Sequence, residues 1–229
     1  MRANKYGVFL TILLVILIVG ILVGLSFLVY NVVKTKGSED RRIEAIDEFD
    51  KTVNENNTQA NEEDEEGGEE NLENILAPPD GSSTNNSETV SKKTYYEGFV
   101  MIGYITIPRT NVKLPILDTV TPDSLNTAVA ALYPSNPQLN EPGNVVIIGH
   151  NYRNGKFFSD NEKLSVGDKV LIKDATGREV SYTIYQKFQT SEQDTSFYTR
   201  NTNGVAEITL STRTDDSKAR IIILAKADE

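Results

Sequence analysis

Three side chains in the C-terminal half of the chain have the chemistry of a site: His150, Arg213 and Arg220. His150 is the only histidine, and imidazole titrates near neutral pH, so it alone could serve as a histidine proton carrier. It follows the apolar run VVIIG and precedes the polar run NYRNG, which predicts a place at the end of a buried strand. A structural histidine bonded to a nearby backbone group fits the same position, and the sequence leaves both interpretations open.

The two arginines flank a polar turn in the stretch EITLSTRTDDSKARIIILA. Side chains alternate between the two faces of a strand, so Ser211 and Arg213 share one face. If the runs on either side of the turn pair, Arg213 and Arg220 lie close together, and two adjacent guanidiniums need an anion. That anion is either a ligand group, such as a carboxylate or an oxyanion, or Asp215 and Asp216 of the turn itself.

Short β-type runs separated by turn signals must position these residues. Two such runs, VMIGYITIP and VKLPIL, are followed by a short helix signal at Thr121-Pro122. The runs DKVLIKD and REVSYTIYQKFQT then flank a turn at Ala175-Thr176-Gly177. We predict a mainly β domain over residues 96–229, with seven to eight strands closed into a barrel and with short helices.

The N-terminal region, residues 1–36, contains an apolar stretch without charge from Val8 to Val33. About 20 apolar residues cross a bilayer, whereas the apolar core of a signal peptide has only ~7–15. We therefore predict a short cytoplasmic stub and one uncleaved transmembrane helix over about residues 8–33. The following domain is then attached to the cell membrane by a single pass.

Residues 37–95 carry 17 acids against 5 bases and few apolar side chains beyond Val53. Such a composition predicts a mostly disordered linker, although Ile43, Ile46 and Phe49, with Val53 as a further candidate, could lie on one face of a short helix over Ser38–Val53. Residues 96–229 are nearly neutral, with no basic patch for nucleic acid. The chain has no cysteine, which excludes disulfides, thiolate metal sites and thiol nucleophiles, and we predict neither a metal site nor a cofactor.

Taken in order and spacing, several of these features resemble the sortase family over roughly residues 98–227. They are the opening GYITIP, the helix near Pro122, the apolar strand ending in His150, the run TLST, and the arginine that follows, Arg220. The resemblance implies a closed β-barrel behind a membrane anchor, on the extracytoplasmic side of a Gram-positive-type cell, with a class B-like or class D-like subclass. It also implies a cysteine transpeptidase that cuts sorting motifs of secreted surface proteins and passes the acyl group to an amine of the cell wall or of a pilin.

Carried over by position, the resemblance makes His150 the general acid/base and Arg220 the donor to substrate carbonyls or the oxyanion, with Ser211 and Thr212 at the substrate. The nucleophile would be residue 213. The family pattern has cysteine there, and this chain has arginine. A guanidinium stays protonated and has no usable lone pair, so Arg213 cannot attack a carbonyl. Its charge should also lower the pKa of His150.

Three interpretations share this fold and location. The chain is a sortase-family protein silent in thiol chemistry, or a module that binds sorting-motif peptides through Arg213 and Arg220, or an enzyme with a hydroxyl nucleophile at Ser211 or Thr214. The third is the weakest because Ser211 lies about 7 Å down the strand from residue 213, at ~3.3 Å per residue.

Overall fold

Nine β-strands and two α-helices make up most of the described residues, 5–66 and 92–228, in a computed structural model. The helices are α1 (Lys5–Glu66) and α2 (Pro122–Thr127), and single 3₁₀ turns cover Pro108–Thr110 and Asn161–Lys163. The strands are β1 (Thr94–Tyr96), β2 (Phe99–Ile107), β3 (Val112–Leu117), β4 (Val129–Tyr133), β5 (Gly143–Ile148), β6 (Lys169–Asp174), β7 (Glu179–Thr190), β8 (Ala206–Arg213) and β9 (Arg220–Ala227).

Eight of these strands close into a barrel. The hydrogen-bonded order is β2-β3-β4-β5-β8-β9-β7-β6, and β6 pairs with β2 to complete the circle, while β1 extends β2 as a short hairpin. The pairs β3–β4 and β5–β8 are parallel, and the others are antiparallel. The closed β-barrel predicted from the sequence is confirmed.

Alternation along the strands separates the barrel interior from its outer face. Leu210 of β8 and Ile223 of β9 belong to the interior cluster of buried residues. A separate cluster on the outside, here called the outer cluster, consists of Val146, Phe197, Ile222 and Leu224. Odd-numbered positions of β8 and even-numbered positions of β5 and β9 therefore point outward.

Helix α2 begins where the sequence predicted a helix near Pro122. Thr121 caps it by accepting a hydrogen bond from the Ser124 backbone N–H (3.0 Å), and the Thr121 N–H donates to Ser124 Oγ (2.8 Å). This reciprocal pair satisfies backbone donors that a helix start leaves free. The helix delivers the chain to β4, which pairs with β5.

The chain divides into two compact units, residues 1–44 and residues 45–229. In the first unit, Ile12–Tyr30 is the one described segment long and apolar enough to cross a membrane. A single-pass anchor fits this segment, and a signal sequence near an N-terminus has the same character.

The predicted linker, residues 37–95, differs in its first half: the chain continues as α1 to Glu66, which includes the short helix predicted over Ser38–Val53. Ile43, predicted on the apolar face of that helix, is 50% exposed instead. Within the second unit, Ile46, Phe49 and Val53 of this helix are each 2% exposed and pack against the barrel. Helical spacing of three and four residues aligned these side chains on one stripe, and the burial of that stripe stabilises a helix that overall composition did not predict.

Polar contacts extend the attachment of this helix to the barrel. Asp50 forms an ion pair with Lys173 (2.8 Å) and accepts a hydrogen bond from the Tyr104 hydroxyl (3.3 Å). Asn57 Nδ2 donates to the carbonyl of Thr176 (3.0 Å). The rest of the predicted disordered linker, residues 67–91, lies outside the described residues.

Candidate functional site

The three residues singled out in the sequence come together at one end of adjacent strands. In the parallel pair β5–β8, Ile148 lies opposite Ser211, so His150, two residues on, lies beside Arg213. In the antiparallel pair β8–β9, Arg213 lies directly opposite Arg220. Neighbouring strands are about 4.8 Å apart, so His150, Arg213 and Arg220 stand in one line, here called the edge row.

The two aspartates of the turn after β8 accept hydrogen bonds from groups in or next to the turn. Thr214 N–H donates to the Ala219 carbonyl (2.9 Å), and the Thr214 hydroxyl bonds Asp216 Oδ1 (2.6 Å). Asp215 Oδ1 accepts from Asn151 Nδ2 (2.8 Å), which also donates to the Arg213 carbonyl (3.0 Å). Within the described part of the chain, neither aspartate forms an ion pair with an arginine of the edge row.

The acid that does reach the edge row comes from elsewhere. Glu192 Oε1 lies 3.0 Å from Arg213 Nη2. Glu192 belongs to the connection between β7 and β8, residues 191–205. Arg220 has no ion-pair partner among the described residues. The need of two neighbouring arginines for an anion could have suggested an acidic partner. The sequence did not identify Glu192 as that partner, because it lies 21 positions before Arg213.

His150 is partly buried and stands against an aromatic ring. Its imidazole centre lies 5.0 Å from the ring of Tyr152, whose hydroxyl donates to Asn126 Oδ1 (2.9 Å). The imidazole makes no hydrogen bond with any described residue. Burial lowers the pKa of His150 below its usual 6.5, and the nearby charge of Arg213 lowers it further, the direction expected from the sequence. The imidazole is therefore neutral at pH 7 and can accept a proton.

We expect the His150 imidazole, followed by NMR in a chain carrying a histidine-free tag, to titrate below pH 6.5. Arg213→Gln should raise this pKa, because the adjacent positive charge is lost, while burial keeps it below the ordinary value. Lys218→Gln, which removes an exposed cation of the same turn, should leave it unchanged. Because the folded pKa lies below the unfolded one, protonation favours unfolding, so this group lowers stability as pH falls through 6.5. An unchanged His150 pKa in Arg213→Gln would contradict the arrangement.

The hydroxyl groups near residue 213 are buried. Ser211 and Thr212 are each 2% exposed, and the Thr212 hydroxyl donates to the Gly149 carbonyl (2.8 Å). Thr212 therefore ties the end of β8 to the end of β5, next to His150. The Thr214 hydroxyl is engaged by the turn. The roles of Ser211 and Thr212 at a substrate stay predictions.

A polar network holds the 191–205 connection on the outer face of the barrel. Arg200 forms an ion pair with Glu207, and its guanidinium also donates to the Tyr185 hydroxyl (2.6 Å), Asn144 Oδ1 (2.8 Å) and Thr209 Oγ1 (3.2 Å). Such charge-assisted bonds are stronger than neutral ones and fix geometry as well. The network fastens the segment that presents Glu192 to Arg213, and sequence reasoning missed it because its members come from four separated segments.

Apolar contacts complete the attachment. Phe197 of the connection is buried in the outer cluster, and Tyr198 packs at its edge. Asn144 Nδ2 of β5 donates to the backbone carbonyls of Phe197 (3.0 Å) and Tyr198 (2.9 Å). The outer cluster thus continues directly from the edge row, since Ile222 is the next outward-facing residue of β9 after Arg220.

No cluster of three or more metal-binding side chains occurs among residues 5–66 and 92–228. The arrangement offers instead a neutral imidazole, two cationic donors and the partly exposed ring of Tyr152 beside the imidazole. These groups can move a proton and stabilise negative charge on oxygen.

Comparison with known proteins gives a consistent assignment. A family model for the sortase domain matches residues 105–228. Sortase D5 transpeptidase of Clostridium perfringens is 31% identical, with a TM-score of 0.51 over 56% of this chain and 79% of that chain. Sortase C1 of Streptococcus agalactiae, in complex with MTSET, is 25% identical, with a TM-score of 0.51 over 56% and 69%. Sortase A of Listeria monocytogenes, at 20% identity and a TM-score of 0.51 over 56% and 88%, shares the fold. No curated protein matched.

Proposed function

The chain belongs to the sortase family. We propose that it is a membrane-anchored member that binds sorting-motif peptides but, with arginine at position 213, performs no thiol chemistry. The barrel then lies outside the cell membrane, attached through the apolar helix. Its ligands are the sorting motifs of secreted surface proteins, and its acceptors in an active form would be amines of the cell wall or of a pilin.

The observation that carries the proposal is the place of Arg213. It ends β8 directly after TLST, lies opposite Arg220, and lies beside His150 in the β5–β8 register. This is where the family pattern has its cysteine. A guanidinium remains protonated and cannot attack a carbonyl, and no cysteine occurs anywhere in the chain.

The remaining residues of the edge row keep the roles that the family implies. With a thiolate at position 213, its sulfur would attack the peptide carbonyl, and Arg220 would stabilise the negative oxygen. Protonated His150 would give its proton to the leaving amine, which yields a thioacyl intermediate. An acceptor amine would then attack this intermediate, lose a proton to His150 and release the thiolate, which restores the starting pair. With arginine at position 213, none of these chemical steps can occur, and only the binding of the peptide remains.

A second candidate is a dedicated binding module, in which the absence of turnover is the function. The specific observation in its favour is Arg220, which has no ion-pair partner among the described residues and so has donors available for a peptide. A hydroxyl-dependent enzyme is disfavoured by the burial of Ser211 and by the engagement of Thr214 in the turn.

We expect the full chain in detergent micelles to bind labelled sorting-motif peptides saturably and to release no cleaved product. Arg220→Gln should weaken this binding about 10-fold, the cost of losing a charge-assisted hydrogen bond. Fluorescence anisotropy measures binding, and chromatography of the same samples measures cleavage. Lys218→Gln serves as the matched control, because Lys218 is an exposed cation two residues away.

Two results would overturn the proposal. One is the absence of binding to every peptide of a broad panel. The other is cleavage by the parent chain that Ser211→Ala or Thr214→Ala abolishes, which would make the protein an enzyme with a hydroxyl nucleophile.

A further inference from the structure

We propose that the edge row is a receptor for the terminal carboxylate of a peptide, with Arg213 and Arg220 as its cationic donors and Glu192 as an internal competitor. This inference rests on the proposed function, because the peptide it binds is one that fits the sorting-motif site. It goes beyond that function in assigning a binding role to Arg213 and a preferred chemical form to the ligand.

The charges at the edge row leave an excess of positive charge. Arg213 and Arg220 lie directly opposite each other across β8 and β9, an arrangement that is destabilising for like charges unless an anion lies between them. Glu192 is the one acid among the described residues that forms an ion pair with either arginine. Because the pKa of His150 is lowered, its imidazole adds no charge at pH 7. Two cations therefore face one carboxylate.

The hydrogen-bonding capacity of the two guanidiniums is also unused. Each has five N–H donors, yet neither side chain donates a hydrogen bond to a described residue. Even the contact between Arg213 and Glu192 is an ion pair without hydrogen-bond alignment. Glu192 Oε1 is shielded from solvent and accepts no hydrogen bond from residues 5–66 or 92–228. A carboxylate placed between the guanidiniums could accept from both in the forked geometry that carboxylates and arginine favour.

Glu192 shows that a carboxylate fits against Arg213, and it can be displaced. The Arg213 side chain is 54% exposed and that of Glu192 33%, so solvent reaches the pair from the arginine side, although Glu192 Oε1 itself is shielded and lacks a hydrogen bond. Glu192 also lies on the connection rather than on a strand. A ligand carboxylate that engages Arg213 and Arg220 together would replace one ion pair with two.

The surroundings of the edge row select a peptide over a small inorganic anion. Tyr152, whose ring lies 5.0 Å from the His150 imidazole, is 41% exposed and leaves an accessible apolar face at this end of the strands. A ligand with an apolar body and a terminal carboxylate can pack on the exposed face of Tyr152 while its charge meets the arginines. Hydrolysis of a sorting motif by an active enzyme yields such a peptide, since breaking the amide bond with water leaves a carboxylate. The reaction that supplies the ligand is therefore a peptide hydrolysis.

The test compares three forms of each sorting-motif peptide on the full chain in detergent micelles. The first ends in a free carboxylate at the cleavage position, the second ends there in an amide, and the third continues beyond it. We expect the free acid to bind about 10-fold more tightly than the amide, since one additional charge-assisted contact is worth roughly that factor. Glu192→Gln should increase the preference for the acid, because the internal competitor is removed.

Matched variants assign the preference to the proposed residues. Arg213→Gln should abolish the preference for the acid while binding of the extended peptide persists, and Lys218→Gln should change neither. Circular dichroism confirms that each variant is folded. Equal affinity for acid and amide, or a preference that survives Arg213→Gln, overturns the inference but leaves the proposed function standing if the extended peptide still binds. Failure of all three forms to bind overturns both.

Discussion

Arg213→Cys is expected to give this chain a peptide-cleaving activity at least about 10³-fold above the background of the parent, a conservative part of what removing a nucleophile costs other enzymes. The substitution places a thiol beside the neutral imidazole of His150 and opposite Arg220, and a thiolate can attack a carbonyl where a guanidinium cannot. The strand end should accept the exchange, because the Arg213 side chain is half exposed and belongs to none of the hydrophobic clusters.

The measurement is release of a fluorophore from quenched sorting-motif peptides, with and without an amine acceptor. Arg213→Ser and Arg213→Ala separate the effect of a thiol from the effect of removing the charge, and both should remain at background. In the Arg213→Cys chain, His150→Ala and Arg220→Gln should each return the activity close to that of the parent. If Arg213→Cys folds and binds peptide yet cleaves nothing, position 213 is not the nucleophile position.

Phe49→Ala is expected to lower the free energy of unfolding of the 45–229 unit by about 3–5 kcal/mol, the usual cost of emptying a buried phenylalanine site. Phe49 is 2% exposed, and its ring meets that of Tyr104 edge to face at 6.0 Å. The loss should detach the end of α1 from the barrel as well as leave a cavity.

Denaturant unfolding monitored by the near-ultraviolet circular dichroism of tyrosine measures this change, since the chain has no tryptophan. Phe49→Leu should lose less, because part of the volume is kept. Glu48→Ala, one residue away on the exposed side of the helix, should stay within about 0.5 kcal/mol of the parent. Equal stability of Phe49→Ala and Glu48→Ala would mean that the packing of the helix contributes nothing to the unit.

The strands could be predicted from the sequence because the alternation of side chains and the turn residues are local signals. The run TLST and its neighbours alternate between the barrel interior and its outer face, and this was sufficient to place Arg213 at a strand end. Residues 45–66 carried two conflicting signals, since the spacing of apolar side chains predicted a helix as far as Val53 and the acidic composition predicted disorder. Their acidic composition favours disorder when averaged, whereas Ile46, Phe49 and Val53 act through their common stripe and through a barrel surface that composition does not describe.

The candidate site was only partly predictable for a related reason. The neighbours Arg213 and Arg220 are joined by a short turn, so their proximity follows from local pairing. The parallel alignment of β5 with β8 brings His150 beside Arg213 across more than sixty residues, and here the family resemblance supplied what periodicity could not. Glu192 and Arg200 carried no such signal, because the contacts that fix them depend on how one polar connection folds onto the barrel.

Because the side chain of residue 213 is half exposed, a substitution there can change the chemistry of the site without changing the stability of the fold. Cysteine and arginine codons differ by a single base, and an exchange at an exposed strand end costs little stability. Quality control that acts on unfolded chains would therefore treat both forms alike. If residue 213 is the nucleophile position, a lineage could lose the nucleophile while keeping the folded protein abundant, and one later base change would return it to an intact scaffold.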